Sequence, residues 1–369
     1  MSLCRCLLFL TLALAAVGCS STRPAAPPPG AEFRTGLPLE PGYAQQLGYA
    51  TRWAFAITLE SKQSIHAVTL QDDLVLVVER PRNIVTAIRY DDGTLAWKAI
   101  LGQPLEKLYR PIANDQHVFV NSSRRLFTLN RRSGELLKTA NLPHPVDMSP
   151  LLIGDQAIFG SITGRIYAFD VNASIPIWAY GLRGRVTTTP LLNNLQIFAV
   201  DSTGHYAMLQ ANTGELRFEG ETYGPVSAPP AFDLPAILLA SEDQSLYSIL
   251  TTTGTLRWPA FRSEVPLTRA PVVIEREVYI LEPGIGLSAL NAATGETRWS
   301  IPDDLTPLLQ HREHLLAHDG KSLHRLDPAT GRSTFSVPLQ PSHSLQITPE
   351  QNLLIVAKNG ELMRITPQP

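Results

Sequence analysis

The strongest constraint on the fold of this chain is a segment that recurs about every forty residues. In its clearest copy, ALNAATGETRW, Trp299 follows the glycine of a Thr-Gly turn by four residues. Six other copies end at the equivalent position, at Trp97, Lys138, Trp178, Phe218, Trp258 and Phe335, so that successive ends lie 41, 40, 40, 40, 41 and 36 residues apart. A period of this length indicates an array of small structural units.

Each unit has the pattern of several short strands. Prolines that tolerate the first position of a strand, where no N–H is needed, recur at the same period: Pro111, Pro150, Pro190, Pro229, Pro271 and Pro307. Two runs of β-branched and aromatic residues follow each proline, and no helix-length amphipathic run interrupts the body. The turn then contains a glycine in six copies, which accepts positive φ without a steric clash: Gly93, Gly134, Gly214, Gly254, Gly295 and Gly331.

Four short antiparallel strands every forty residues are typical of a β-propeller blade. Seven complete copies leave a remainder, residues 343–365, that has strands but no final turn-and-aromatic strand. A matching strand, residues 49–59 with Trp53, stands at the other end of the body. We therefore expect an all-β, eight-bladed propeller, closed by pairing this N-terminal strand with the C-terminal blade so that no sheet edge is left free at the junction.

The first residues of the chain have the pattern of an export signal. Arg5 supplies a positive charge, and an apolar run follows at residues 7–17, too short to cross a bilayer comfortably. The segment Ala-Val-Gly-Cys ending at Cys19 resembles the cleavage and acylation site of bacterial lipoproteins, although that family usually has Leu where this chain has Ala16. The alternative is an ordinary secretory signal in which Cys19 is not modified.

These patterns divide the chain into three parts. We expect a signal peptide at residues 1–18, a lipidated Cys19 with a Pro-rich tether over residues 19–45, and the propeller over residues 46–369. Because all three cysteines lie at or before Cys19, the body has no thiol for a disulfide, a thiolate metal site or a nucleophile. A formal net charge of −2 with no basic block argues against nucleic-acid binding.

No group of residues in the body predicts a reaction centre. The segment from His311 to His318 contains three histidines, but in a strand His314 and His318 share one face while His311 points to the other, so no metal site is expected. Neither a phosphate-binding Gly-Lys-Ser/Thr loop nor a Gly-x-Ser-x-Gly element occurs. We expect no catalytic residue, no metal and no cofactor.

The repeat x-x-Asp/Asn-x-x-Thr-Gly-x-x-x-Trp resembles the blade motif of the quinoprotein-like eight-bladed propellers over residues 49–366. Within that superfold the chain is similar to the BamB family of lipoproteins, which serve the machine that inserts β-barrels into the bacterial outer membrane. The resemblance implies a monomeric, acylated propeller on the periplasmic face of that membrane. It also implies a protein partner, the barrel-forming subunit.

The resemblance to this family also points to one candidate binding loop. Leu182-Arg183-Gly184 is similar to the loop by which that family docks on its barrel-forming partner, and an exposed leucine beside an arginine suits a small interface anchor. The alternative is a solvated loop whose arginines only keep the surface soluble. A second, acidic contact loop of the family falls at residues 223–226, where this chain has no acid.

Two other functions remain open from the sequence. Quinone-dependent dehydrogenases share the blade motif, but their chemistry uses a Ca²⁺-bound quinone on a tryptophan platform. The repeat places Trp97, Trp178, Trp258 and Trp299 on outer strands, where an indole packs between blades and donates its N–H to a carbonyl. A propeller that binds envelope glycans or peptides is the third reading, because this fold hosts many functions.

Overall fold

The alternation of short apolar runs and tight turns makes each repeat fold as one antiparallel four-stranded sheet. The structure is a computed structural model that describes residues 36–368, and it contains eight such sheets. In seven of them the strands lie side by side in chain order. The first strands of neighbouring sheets contact one another, for example β2 (Ser64–Gln71) with β6 (Ile112–Ala113), so the first strand of each sheet is the inner one. The prediction of an eight-bladed propeller is confirmed.

The first four blades have these strands, from inner to outer. Blade 1 is β2 with β3 (Leu74–Arg80), β4 (Ile84–Arg89) and β5 (Leu95–Ile100); blade 2 is β6 with β7 (His117–Asn121), β8 (Arg125–Asn130) and β9 (Leu136–Asn141). Blade 3 is β10 (Leu151–Ile153), β11 (Gln156–Gly160), β12 (Arg165–Asp170) and β13 (Ile175–Gly181); blade 4 is β14 (Leu191–Asn193), β15 (Gln196–Val200), β16 (His205–Gln210) and β17 (Leu216–Glu221).

The remaining blades continue the order around the ring. Blade 5 is β18 (Ala231–Asp233), β19 (Ala236–Ser241), β20 (Ser245–Leu250) and β21 (Phe261–Arg262); blade 6 is β22 (Val272–Ile274), β23 (Glu277–Glu282), β24 (Gly286–Asn291) and β25 (Thr297–Ile301). Blade 7 is β26 (Thr306–His311), β27 (His314–His318), β28 (Ser322–Leu326) and β29 (Ser333–Pro338); blade 8 is β30 (Ser342–Ile347), β31 (Leu353–Ala357), β32 (Glu361–Pro367) and β1 (Tyr49–Ala56).

Because the inner strands all begin at the same end, the ring has two distinct faces. The crossover face carries the loops that run from one outer strand to the next inner strand, together with the hairpins between second and third strands. The turn face carries the hairpins between first and second strands and the turns that contain the repeat glycines. Any binding surface of the ring is built from loops of one face or the other.

The hydrophobic core consists of eight clusters, each between two adjacent blades. At the seam between blades 6 and 7, for example, Leu287 and Trp299 pack against Leu315 and Leu326. Burying such faces removes apolar surface from water on both sides of every blade. Each blade is therefore stabilised mainly by its two neighbours.

An indole and a glycine meet at most seams. The Nε1–H of Trp258 in blade 5 donates to the carbonyl of Ala292 in blade 6 at 3.2 Å. Gly295, at φ +74°, lies directly beneath this ring, and a Cβ placed there would be 2.7 Å from the Trp258 Cδ2 atom. Gly93, Gly134, Gly214, Gly254 and Gly331 repeat the arrangement beneath Trp53, Trp97, Trp178, Phe218 and Trp299. These glycines therefore combine a positive φ with a close contact to an aromatic ring, and each of the two favours glycine.

The seam between blades 2 and 3 lacks this contact. Lys138 replaces the aromatic residue and its Nζ donates to the carbonyl of Asn172 at 2.6 Å. The turn position below it is Ser174, at φ +60°, in place of glycine. Because no ring lies above this turn, a side chain fits there.

The ring closes through the two ends of the described chain. β1 pairs antiparallel with β32, with Trp53 opposite Arg364. The carbonyl of Tyr90 in blade 1 accepts from Trp53 Nε1 at 2.7 Å and from Arg364 Nη1 at 2.9 Å. The Arg364 guanidinium also lies 3.8 Å from the centre of the Tyr90 ring, within cation–π range. The predicted closure by an N-terminal strand is confirmed.

A short segment before β1 packs on the same junction. It contains α1 (Pro41–Gln46), and Leu39, Ala44 and Leu47 are buried in the cluster between blades 7 and 8. Gly36 lies at the crossover face, where its carbonyl accepts from the Asn359 amide at 3.3 Å. The expected signal peptide at residues 1–18, Cys19 and most of the expected tether lie outside the described residues, so the boundary between tether and propeller stays a prediction.

Replacing a glycine beneath an indole should destabilise the ring more than replacing one in open space. Gly295→Ala combines positive φ with a clash against Trp258, whereas Gly284→Ala in the same blade, at φ +77°, meets no atom within 4 Å. We expect Gly284→Ala to lower the free energy of unfolding by about 1–2 kcal/mol and Gly295→Ala by about 2 kcal/mol more. Urea unfolding followed by tryptophan fluorescence measures both, and equal losses would contradict the clash.

The first strand should be as integral to the ring as any internal strand. Trp53 and Trp258 are both buried and make the same contact, at the closing seam and at an internal seam. Trp53→Ala and Trp258→Ala should each lower the free energy of unfolding by about 3–5 kcal/mol. If Trp53→Ala leaves the thermal unfolding midpoint unchanged while Trp258→Ala lowers it, β1 is a detachable strand and the closure is wrong.

Candidate functional site

The predicted binding loop lies on the crossover face between blades 3 and 4. It leaves β13 after Gly181, passes through Leu182, Arg183 and Gly184, and reaches β14 at Leu191. Gly164, in the hairpin beside it, accepts the Leu182 N–H at 2.7 Å. A Cβ on Gly164 would lie 2.9 Å from the Gly184 carbonyl oxygen, so the loop and the hairpin are in close backbone contact.

A buried carboxylate holds the loop from below. Asp201, at the end of the second strand of blade 4, is completely buried. Its Oδ2 accepts the backbone N–H of Arg183 at 3.0 Å and of Gly184 at 2.7 Å. Its Oδ1 accepts from the Thr203 N–H and hydroxyl and from the His205 N–H, at 2.8, 2.6 and 3.2 Å. Burial of the charge is offset by these donors, and the loop is fixed in one conformation.

The side chains of the loop differ in exposure. Arg183 is 64% exposed and its Nη1 lies 2.5 Å from Glu221 Oε2 in the outer strand of blade 4. Leu182 is partly buried and packs against the cluster between blades 3 and 4. The expectation of an exposed leucine is therefore corrected: the blade beneath covers part of its side chain. Arg183 and the uncovered part of Leu182 are what the loop presents.

Acidic groups surround the neighbouring loop at residues 223–226, although the loop itself has none. Tyr223 is 88% exposed, and its N–H donates to Asp243 Oδ2 at 3.0 Å. Asp243 comes from the hairpin of blade 5, and Glu221 lies two residues before Tyr223. A phenol with two carboxylates thus stands beside Arg183, which suits contact with a protein surface that offers both cations and carboxylates.

The sequence missed Asp201, Glu221 and Asp243 because none belongs to the loop that its motif identifies. A signal was present in the repeat, since buried polar residues recur forty residues apart at this position, at Asn121, Ser161, Asp201 and Ser241. Asn121 donates to the Met148 carbonyl at 3.0 Å, and the Ser241 hydroxyl donates to the Gly224 carbonyl at 3.2 Å. Among these four residues only Asp201 is a carboxylate, and only its side chain accepts two backbone N–H groups of the crossover loop.

The histidine-rich strands of blade 7 hold no converging ligand set. His311 is buried, its ring lies 5.0 Å from the Tyr49 ring, and its Nδ1 lies 3.0 Å from Gln351 Oε1. Across residues 36–368 no three His, Cys, Asp or Glu side chains come together in a geometry for a metal ion. In the same part of the chain, no helix has the length and apolar character needed to cross a bilayer.

The residues present do not fit the quinone that the fold family suggests. Such a cofactor would need a tryptophan platform in the central channel. Four of the five tryptophans lie on outer strands and Trp258 lies just before the outer strand β21, and each Nε1 donates to a carbonyl of the next blade: Trp53, Trp97, Trp178, Trp258 and Trp299. The body also has no cysteine for a paired-thiol disc. No step of a quinone reaction is therefore derived from this site.

Comparisons with known proteins agree with the repeat and the fold. The profile of the family described as Outer membrane protein assembly factor BamB matches residues 49–191, 125–225 and 163–368. BamB of Yersinia pestis is 24% identical over 192 residues, which cover 47% of this chain and 48% of that protein. BamB of Burkholderia pseudomallei is 22% identical over 159 residues, or 42% of each protein. The matches thus span about half the length of these relatives.

Solved structures support the architecture. The crystal structure of BamB from Moraxella catarrhalis superposes with a TM-score of 0.69 at 18% identity, covering 86% of this chain and 97% of that one. The computationally designed Ika8 protein superposes with a TM-score of 0.67 at 13% identity, covering 84% and 98%. At such identities the structures show the shared fold alone, whereas the family profile runs from residue 49 to residue 368. By that match, the chain belongs to the family of the outer membrane protein assembly factor BamB.

Proposed function

We propose that this chain is a lipid-anchored periplasmic accessory of outer-membrane β-barrel assembly, and that it acts by binding a protein partner and not by catalysis. The observation that carries the proposal is the family profile over residues 49–368. The partner we propose is the barrel-forming subunit of the assembly machine. The binding surface is the crossover face around Leu182 and Arg183.

The fixed loop supports this role. Binding a flexible loop loses the conformational entropy of ordering it, so a loop already held in place favours affinity. Asp201 removes that freedom by accepting two backbone N–H groups of the loop. The Arg183–Glu221 contact is exposed and weak, so a carboxylate of the partner can replace Glu221 at small cost.

The course of the chain toward its N-terminus supports the proposed anchor. Gly36 lies on the crossover face, beside Asn359. Seventeen peptide units separate it from Cys19, the residue proposed to carry the acyl chains, and a chain of that length reaches at most about 60 Å. The anchor would then tie the ring to the membrane from the same face that carries the binding loop.

Crosslinking at Arg183 tests the partner. A photoreactive amino acid at Arg183 should crosslink to the barrel-forming subunit in the envelope, whereas one at Arg132, which is exposed in a turn on the opposite face, should not. Deleting the gene should lower the amounts of outer-membrane barrel proteins measured by mass spectrometry. Barrel proteins at unchanged levels, with crosslinks only to unrelated proteins, would refute the proposal.

Asp201→Asn tests the positioning of the loop. The amide keeps the size of the carboxylate but loses charge and one acceptor, so the Arg183 and Gly184 N–H groups are held less firmly. We expect their hydrogen exchange to accelerate by about tenfold or more, and the affinity for the partner to fall. Asn121→Ala removes the equivalent polar group in blade 2, which contacts the Met148 carbonyl and not the loop, and serves as control: it should lower stability without changing partner affinity. Unchanged exchange in Asp201→Asn would contradict the positioning role.

A further inference from the structure

Six basic side chains lie on the crossover face, two of them on the inner strands next to the ring axis. They come from three consecutive blades and are called here the axial basic cluster: His66, Arg80, Lys107, Arg110, His343 and Lys358. His66 and His343 are equivalent residues, because each occupies the β-bulge at the start of the inner strand of its blade. A bulge re-aims a side chain, and it occurs here at the same point in two adjacent blades.

The charges of the cluster act on one another. Burial lowers the pKa of His66, and the charges of Arg80, Lys107 and His343 lower it further. Burial also lowers the pKa of His343, with Lys358 and Arg110 adding to the effect. Arg110 precedes blade 2 and His343 belongs to blade 8, so their interaction reaches across the first strand of blade 1. Because a lowered pKa leaves both imidazoles neutral near pH 7, the positive potential of the cluster comes from its four permanent cations, Arg80, Lys107, Arg110 and Lys358.

No acid neutralises this field. Among residues 36–368, no carboxylate lies within ion-pair distance of Arg80, Lys107, Arg110 or Lys358; Lys107 instead lies 4.9 Å from the centre of the Tyr109 ring. Among the acids that adjoin the cluster in sequence, Glu79 accepts from the Thr86 hydroxyl and Glu106 pairs with Arg125. Unpaired like charges repel one another and destabilise the free protein. A negatively charged ligand relieves this repulsion, which favours its binding.

The cluster continues outward in two directions. A groove of about 410 Å³ extends from it over blade 2 and is lined by Lys107, Ser122 and Arg124 together with the ion pair of Glu106 and Arg125. On the other side, the charges of Arg185 and Arg80 both act on Tyr109, opposing the rise in its pKa that burial causes. Arg185 follows Arg183 by two residues, so the cluster is continuous with the loop proposed to bind the partner.

We propose that the axial basic cluster and the adjoining groove bind an acidic segment of the protein partner, a stretch of chain rich in aspartate and glutamate. The proposal rests on the function proposed above and specifies the chemistry of the partner. The cations extend over blades 8, 1 and 2 and into a groove, which matches an extended chain that presents a carboxylate every few residues. A single phosphate would meet only part of this surface.

A peptide of defined charge tests the site without the partner. The purified protein should bind a fluorescein-labelled oligo-glutamate peptide, measured by fluorescence anisotropy, and should not bind the oligo-glutamine peptide of equal length. Raising the salt concentration should weaken binding because the contacts are ionic. Arg80→Gln with Arg110→Gln should lower the affinity about tenfold or more, and so should Lys107→Gln with Lys358→Gln.

Charge-matched controls separate the site from the net charge. Arg132→Gln with Arg269→Gln removes the same two charges outside the cluster and should leave peptide affinity unchanged; circular dichroism checks that each variant is folded. Equal binding of the two peptides, or equal loss in the control pair, overturns the proposal. So does binding of inorganic phosphate or of phosphatidylglycerol vesicles in place of the peptide.

The test also distinguishes this proposal from the proposed function. With the photoreactive amino acid moved to Leu182, Arg183→Glu should abolish crosslinking to the barrel-forming subunit. It should keep at least half of the affinity for oligo-glutamate, because Arg183 lies outside the cluster. If the peptide fails to bind while the crosslink from Arg183 persists, the acidic-segment proposal is wrong and the assembly role stands. If the peptide binds and the crosslink is absent, the basic cluster stands and the identity of the partner is wrong.

Discussion

The contact of an aromatic ring with the glycine turn of the next blade is the constraint on which the rest of this structure depends. Each indole sets the spacing of two blades, because its N–H donates to one carbonyl and its face lies where only a glycine leaves room; at Phe218 the face of the ring alone makes the contact. Six of the eight seams have such a ring over a glycine of the next blade, and the seam between blades 2 and 3 has Lys138 and Ser174 instead. The loops of the crossover face are carried on this frame, so their relative positions follow from contacts made on the outer strands.

The sequence predicted this frame almost completely, because the information is local. The turn, the aromatic residue and the strands of each blade all fall within about forty residues. The last blade lacked one strand, and only the strand at residues 49–59 was left to complete it. The exposure of Leu182 was predicted wrongly, since how far a loop residue sinks toward the blade beneath depends on packing that no repeat pattern encodes. The contacts to Arg183 from Asp201 and Glu221 were not foreseen either, for they come from the following blade.

Both proposed binding surfaces likewise combine residues from more than one blade. The fixed loop combines residues of blades 3 and 4. The axial basic cluster combines residues of blades 8, 1 and 2, and His66 and Lys358 are 292 positions apart in the chain. Within any single repeat these residues look like ordinary solvated turns. They form a surface only because the ring brings equivalent positions of adjacent blades together, as it does with His66 and His343 at the two β-bulges.

Pairing of β1 with β32 also governs the order in which the protein can be completed. A chain made and exported from its N-terminus delivers β1 first and its partner last, with more than 300 residues between them. Until β32 emerges, neither edge of β1 has a hydrogen-bonding partner, and such edges are prone to pair with other chains. Contacts so distant in sequence form slowly. Protection of that early strand, by a chaperone or by the half-built ring itself, is therefore a requirement that circular closure imposes on biogenesis.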